Sequence, residues 1–323
     1  MNNLDLLKIR ENSIIDNIFK DCIIPGYEKY EEIINELPDD SYLYLCPYAG
    51  TGDVYLSCMY MNAYANKQNH KNFCVVVVGK ANYKVAMLFK FQYIVSISQV
   101  EADCLVRLSM VLGKDDEHIK IMHHDAPQLH TGILENLRNI NEINFNDLYL
   151  NNVFQLQLKD RQMPHFNYDT VDIENVFDKY NLKKGKTVVI SPYANTLPPL
   201  PEWVWVNLAD KLFDKGYCVC TNVGTPTEKA IKGTIPLKFE FAISVPLLEQ
   251  CGYFIGIRSG LCDIVSSAKC KKIIVYQPYL FWGAGDNLDY FSLNKIKLCN
   301  DAIEMQHHGV EFLELIDNIL ENF

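Results

Sequence analysis

The stretch Tyr253–Tyr276 constrains the fold more than any other part of the chain. Tyr253-Phe254-Ile255-Gly256-Ile257 is a short, continuously apolar run; Arg258-Ser259-Gly260 follows as a turn, a helix begins near Leu261, and Lys272-Ile273-Ile274-Val275-Tyr276 is a second apolar run. Runs of this length without alternation suit parallel strands covered on both faces. At the handover from strand to helix, backbone N–H groups lack intrahelical partners and the helix dipole favours negative charge, so Ser259, Gly260 and Leu261 can seat an anion. Arg258 has two readings. Its planar fork suits two phosphate oxygens, and it can equally pair with Asp263 on the first helical turn while Ser259 caps the helix.

The same alternation runs through most of the 323 residues. Apolar positions at helical spacing (Ile14, Ile15, Ile18, Phe19, then Tyr30, Ile33, Ile34 and Leu37 after Pro25-Gly26) predict an N-terminal helical extension. Strands are expected at Tyr42–Cys46, Phe73–Val78, Tyr93–Ser98 and Ile119–Met122, with helices from Val54, over Ala81–Lys90 and over Val100–Leu112. After a polar segment around Asn144–Asp169 the plan repeats. Strands Thr187–Ser191 and Tyr217–Thr221 alternate with helices Pro201–Phe213 and Val245–Gln250, and an amphipathic helix (Val310, Phe312, Leu313, Leu315, Ile316, Ile319) closes the chain. Both halves run from their first strand into the same tripeptide, Pro47-Tyr48-Ala49 and Pro192-Tyr193-Ala194. The expected architecture is α/β, two Rossmann-like domains facing a cleft, with ligands at the carboxyl ends of the strands. Residues 1–165 form the N-terminal domain and 166–323 the C-terminal one, the last helix packing back on the N-terminal domain.

A formal net charge of −10 argues against a nucleic-acid partner, which needs a basic face. The 11 cysteines form no CxxC…CxxC arrangement, and Cys218 and Cys220 alternate along a strand, so reduced thiols in a cytoplasmic protein are expected. No apolar stretch reaches the roughly 20 residues that span a bilayer, which leaves peripheral contact at the inner membrane face as the membrane association to expect.

With Thr51-Gly52-Asp53 after the first strand, Gly224 to Glu228 after the second strand of the C-terminal half, and Arg258-Ser259-Gly260-Leu261-Cys262-Asp263, the chain resembles GT-B glycosyltransferases. Closest in layout are the heptosyltransferase-like enzymes of glycosyltransferase family 9. The family carries a Gly-Asp pair, a Gly-x-x-x-Glu segment and an Asp-[Ser/Thr]-Gly-x-x-His signature at these places. Arg258 stands where the family has Asp, and Asp263 where it has His, so heptose is not carried over. The resemblance implies an inverting, metal-independent transferase that moves a sugar from a nucleoside-diphosphate sugar to a hydroxyl of a glycan or lipid-linked glycan, in cell-surface polysaccharide synthesis, with no cofactor.

By this resemblance Asp53 is the base that takes the acceptor proton; as a sequence feature it also suits the N-cap of the helix from Val54. The chain has no Asp-x-Asp metal pair, and Asp115-Asp116-Glu117 reads as a solvated loop. Arg258, Ser259, Gly260 and Leu261 are the expected leaving-group residues. Ser191, Tyr193, Asn195 and Thr196, then Thr221, Asn222 and Gly224, follow strands at the same edge and are donor-binding candidates beside an ordinary loop reading, while Glu228 fits a capping box. Gly52, His123 and His124 are acceptor-side candidates, in a polar loop with Asp125 and His130. Adjacent residues of an extended segment point in opposite directions, which speaks against a metal on the two histidines. Trp203 and Trp205 suit helix packing, and Gln277 to Asp286, with Phe281-Trp282, suits a cover over the donor. Two rival functions share this sequence: a nucleotide-sugar epimerase of the same plan, and a non-catalytic sugar-nucleotide or glycan binding subunit.

Overall fold

The computed structural model describes residues 19–112, 118–124, 144–195, 197–278, 287–309 and 311–323. The expectations for Ile14, Ile15, Ile18, Asp115-Asp116-Glu117, Asp125, His130, Thr196, Val310 and, within the Gln277 to Asp286 cover, residues 279–286 with Phe281-Trp282 lie outside the described residues. The chain divides into two compact units: Met1–Arg138 with Asp147–Pro164, and Asn139–Asn146 with His165–Phe323.

In the first unit, α1 (Ile24–Ile34), β1 (Ser41–Cys46), α2 (Thr51–Gln68), β2 (Asn72–Val78), α3 (Gly79–Met87), β3 (Tyr93–Ile97), α4 (Gln99–Leu112) and β4 (Ile119–Ile121) follow in order. The strands form one parallel sheet in the order β3-β2-β1-β4. The apolar run Cys74–Val78 of β2 is buried along its length because helices cover both faces, each enclosed Val contributing about 1.5–3 kcal/mol of transfer free energy. On one face Leu43, Leu45, Val76 and Ile97 meet Tyr30 and Ile33 of α1 and Ala102, Leu105 and Leu108 of α4. These two helices approach closely because Gly26 has no side chain: a Cβ there would lie 2.6 Å from the Cys104 carbonyl oxygen. A helical turn at Tyr149–Phe154 returns to pack on α2.

In the second unit, α5 (Thr170–Tyr180), β5 (Thr187–Ser191), α6 (Glu202–Asp214), β6 (Cys218–Asn222), β7 (Ile235–Leu237), α7 (Phe241–Cys251), β8 (Gly252–Ile257), α8 (Gly260–Ile264), β9 (Lys271–Tyr276), β10 (Ile303–Gln306) and α9 (Phe312–Leu320) build a six-stranded parallel sheet. Its order is β10-β9-β8-β5-β6-β7, the doubly wound arrangement in which first and fourth strands are neighbours. α5, β7 and β10 were not expected. β7 is a three-residue edge containing Pro236 and β10 has only two apolar residues, so neither carries a strong periodic signal, whereas α5, with Ile173, Val176, Phe177 and Tyr180 at helical spacing behind an Asp169 cap, was legible and was overlooked beside the polar segment.

Leu315, Ile316, Ile319 and Leu320 of α9 join Val204, Leu208 and Leu212 of α6 over β5, β8 and β9, and Lys211 pairs with Asp317 at 2.9 Å, so the apolar face of α9 is covered within the second unit. The cysteines are all free, and most are buried in the two cores. Among the described residues no helix is long and apolar enough to cross a membrane.

Candidate active site

The first unit has its switch point between β1 and β4, and the two segments leaving those strands supply its polar cluster. The helix after β1 begins earlier than expected: Gly50 is the N-cap and Asp53 is the third helical residue, so the capping reading of Asp53 does not hold. One turn into α2, the Asp53 side chain folds back over Gly50, where a Cβ would collide with its Oδ2. Gly52 lies beside it, half-buried in the same first turn.

His123 and His124 follow β4 at a bend rather than in extended backbone, and this overturns the argument that adjacent side chains diverge. Their rings stack at 4.3 Å and 30°, both buried, and both Nε2 atoms turn towards Asp53, at 3.5 Å and 3.9 Å from Oδ1. Tyr149, fully buried, donates its hydroxyl to the same oxygen at 2.8 Å. The floor is set by Ser57, whose hydroxyl donates to the Met122 carbonyl at 2.7 Å, and Tyr48 meets His123 edge-on. Burial alone would raise the Asp53 pKa, but the His123 contact, the two imidazoles and the Tyr149 hydroxyl together hold it below the usual carboxylate range. Burial and the neighbouring carboxylate push Tyr149 far up, so it stays a neutral donor. Asp53 keeps 28% of its side-chain surface exposed, which gives an ionised carboxylate access to a ligand.

Tyr149 was missed by sequence reasoning. It lies 96 residues from Asp53 in the segment taken for a boundary, and no local pattern distinguishes it from a packing aromatic.

In the second unit the organising strand-turn-helix-strand is present, with one correction. Arg258 is turned inward and only 7% exposed. Its Nη1 and Nη2 donate to both oxygens of the buried Asp263, at 3.0 Å and 2.6 Å, Nη1 also to the Ser259 carbonyl and Nε to the Phe291 carbonyl, each at 2.8 Å. The structural reading of Arg258 holds: this bidentate pair anchors the turn after β8 and the helical turn Asn287–Phe291, and the expected role on a leaving phosphate is withdrawn.

Ser259, Gly260 and Leu261 remain half-buried at the start of α8, beside the end of β5, since Ser191 pairs with Gly256. Ser191 accepts from the Asn222 amide at 3.5 Å, which brings the ends of β5 and β6 together, with Asn195 exposed beyond them. Thr221 does not belong with them. It is fully buried, its hydroxyl shared with Thr234 at 2.6 Å and accepting from the Ile231 amide at 3.1 Å. Gly224 and Tyr193 also serve the loop: the Gly224 amide donates to Glu228 at 2.6 Å, which bears out the structural role of Glu228, and the Tyr193 hydroxyl donates to the Lys229 carbonyl at 2.5 Å.

Comparison with known proteins gives the fold. A glycosyl transferase of family 9 from Veillonella parvula superposes with a TM-score of 0.54 over 88% of this chain and 90% of its own, at 12% identity. The ADP-heptose LPS heptosyltransferase II of E. coli superposes with a TM-score of 0.56 over 87% of this chain and 98% of its own, also at 12% identity. The chain has the GT-B fold. No protein-family model matches it, and no curated protein matches it by sequence. Within the GT-B fold, the Asp53 cluster belongs to the N-terminal Rossmann-like unit and the Ser191, Asn222 and Ser259–Leu261 edge to the C-terminal one.

Proposed function

We propose that the protein is an inverting glycosyltransferase that moves a sugar from a nucleoside-diphosphate sugar to a hydroxyl of a glycan or lipid-linked glycan. The observation that carries this reading is Asp53: a partly exposed carboxylate at the switch point of the N-terminal unit, accepting from the Tyr149 hydroxyl and faced by the His123 and His124 imidazoles, which together hold it below the usual carboxylate range. A poised carboxylate is what an attacking alcohol requires. The GT-B fold supports the choice of reaction, and the name of the E. coli protein supports a nucleotide-sugar donor.

In the proposed step the acceptor oxygen attacks the anomeric carbon from the face opposite the diphosphate, forming the new C–O bond while the bond to the phosphate oxygen breaks. The proton of the acceptor hydroxyl passes to Asp53, and the nucleoside diphosphate leaves with the bonding electrons. Tyr149 and the two histidines orient the carboxylate. With Arg258 engaged in its pair, the donor-side residues are Ser191, Asn195 and Asn222 together with Ser259, Gly260 and Leu261, which offer neutral hydroxyl, amide and backbone groups. Departure without a metal at the diphosphate is part of the proposal, as are a cytoplasmic setting, peripheral membrane contact and a place in polysaccharide synthesis.

Incubation of a panel of nucleoside-diphosphate sugars with glycan acceptors tests the reading. Asp53→Asn, which keeps size and loses basicity, is expected to lower transfer about 100-fold or more while donor binding stays within a few fold. Undiminished transfer by Asp53→Asn would remove Asp53 from the mechanism. Conversion of donor without acceptor would identify an epimerase, and saturable donor binding with no turnover by wild type would identify a binding subunit.

A further inference from the structure

The cluster at the end of β1 and β4 contains more than a base needs. Asp53, His123 and His124 each present one ligand atom, and these atoms lie within 4.8 Å of one another. Two of the separations, 3.5 Å and 3.9 Å from Asp53 Oδ1 to the two Nε2 atoms, are already near the about 3.4 Å between ligands of a tetrahedral zinc ion, whose N and O ligands sit about 2.0–2.2 Å from the metal. Two stacked imidazoles at the bend and the carboxylate from the first turn of α2 make a donor set of two nitrogens and one oxygen. Such a set suits zinc and its neighbours in the transition series. Magnesium and calcium prefer oxygen ligands throughout.

Packing and one hydrogen bond hold the three side chains in place. His123 and His124 are 7% and 6% exposed, so their rings are fixed by packing against each other and, edge-on, against Tyr149. Tyr149 donates to Asp53, the kind of outer hydrogen bond that orients a ligating carboxylate. Asp53 supplies the charge that compensates the cation, and its exposed surface gives an entry path.

We propose that Asp53, His123 and His124 bind one divalent transition-metal ion with zinc-like ligand preference. Resting on the reading of Asp53 as the base, an ion there competes with the acceptor proton for the same carboxylate, so the metal is an inhibitor of transfer.

Cobalt(II) titrated into the full-length protein after chelator treatment tests the site without any sugar substrate. One equivalent is expected to bind, with the visible absorption of a four- or five-coordinate nitrogen and oxygen site, no thiolate-to-cobalt charge-transfer band, and displacement by zinc but not by magnesium. Asp53→Asn and His124→Ala are expected to weaken binding at least about tenfold, with far-ultraviolet circular dichroism confirming that each is folded. Absence of saturable binding by wild type, equal binding by wild type and Asp53→Asn, or a thiolate band marking cysteine ligation would each overturn the site. The base reading is tested separately by transfer assays in chelator: activity retained there and lost on adding zinc supports the competition, whereas binding without any effect of zinc on transfer overturns the inhibitory role.

Discussion

Arg258 and Asp53 show how far a single position is readable. The chemistry of an arginine after a buried strand admits both a phosphate contact and an ion pair, and the side chain's direction decides between them. With both partners buried, the pair is a structural element whose rupture leaves Asp263 charged and uncompensated. Arg258→Met is therefore expected to destabilise the fold by about 3–5 kcal/mol, read from the denaturant midpoint, and the double variant Arg258→Met/Asp263→Leu to recover much of that loss. A stable Arg258→Met that fails to bind nucleoside diphosphate would restore the phosphate reading. Asp53 was legible as a carboxylate after the first strand. Its partners were not, because Tyr149 and the histidines come from segments 96 and 70 or more residues away and only the folded chain brings them within reach.

Among the elements, the helix pair α1 and α4 carries its own tests. Gly26→Ala places a methyl against the Cys104 backbone, where no flexible side chain can yield, and overpacking of this kind costs about 1–3 kcal/mol. Thermal or denaturant unfolding should show that loss; an unchanged midpoint would mean the helices separate freely. The same pair is tied by Lys29 and Glu101 at 2.9 Å, and Glu101 also caps α4, accepting from the Ser98 amide at 2.7 Å. The Lys29 contact leads in lowering Glu101 from its ordinary value near 4.5 to about 2. A carboxylate lowered on folding binds its proton more weakly in the folded than in the unfolded chain. Its stabilisation is therefore present above pH 4.5 and lost as the pH falls from 4.5 towards 2. Because Glu101 is 37% exposed, solvent screening limits the effect to about 1 kcal/mol or less. Unfolding of wild type and Glu101→Gln should differ at pH 7 and converge towards pH 2; a gap that does not narrow would assign the difference to packing. Elements with continuous apolar runs, such as β2 and β8, were legible to within a residue, whereas β7 and β10 were not, since short edge strands owe their conformation to the neighbour they pair with.

At the scale of the whole molecule, the division of labour predicts separable ligands. If the C-terminal unit holds the nucleotide, a nucleoside diphosphate at 100 times its dissociation constant should stabilise the protein by about 2.7 kcal/mol, and Asp53→Asn should respond to the same extent. A thermal shift present in wild type and absent in Asp53→Asn would place the base and the nucleotide in one site on the N-terminal unit. Taken alone, the amino-acid sequence determined two parallel α/β halves, because the length and continuity of apolar runs depend only on which faces a strand must bury, and the GT-B plan entered only through the resemblance of its short motifs. Only the tertiary structure decided that Arg258 turns inward, that α9 completes the second core, and that Tyr149, His123 and His124 converge on Asp53. The physical reason is that the direction of a polar side chain at the end of a strand is set by partners distant in sequence and by bends that no periodicity records.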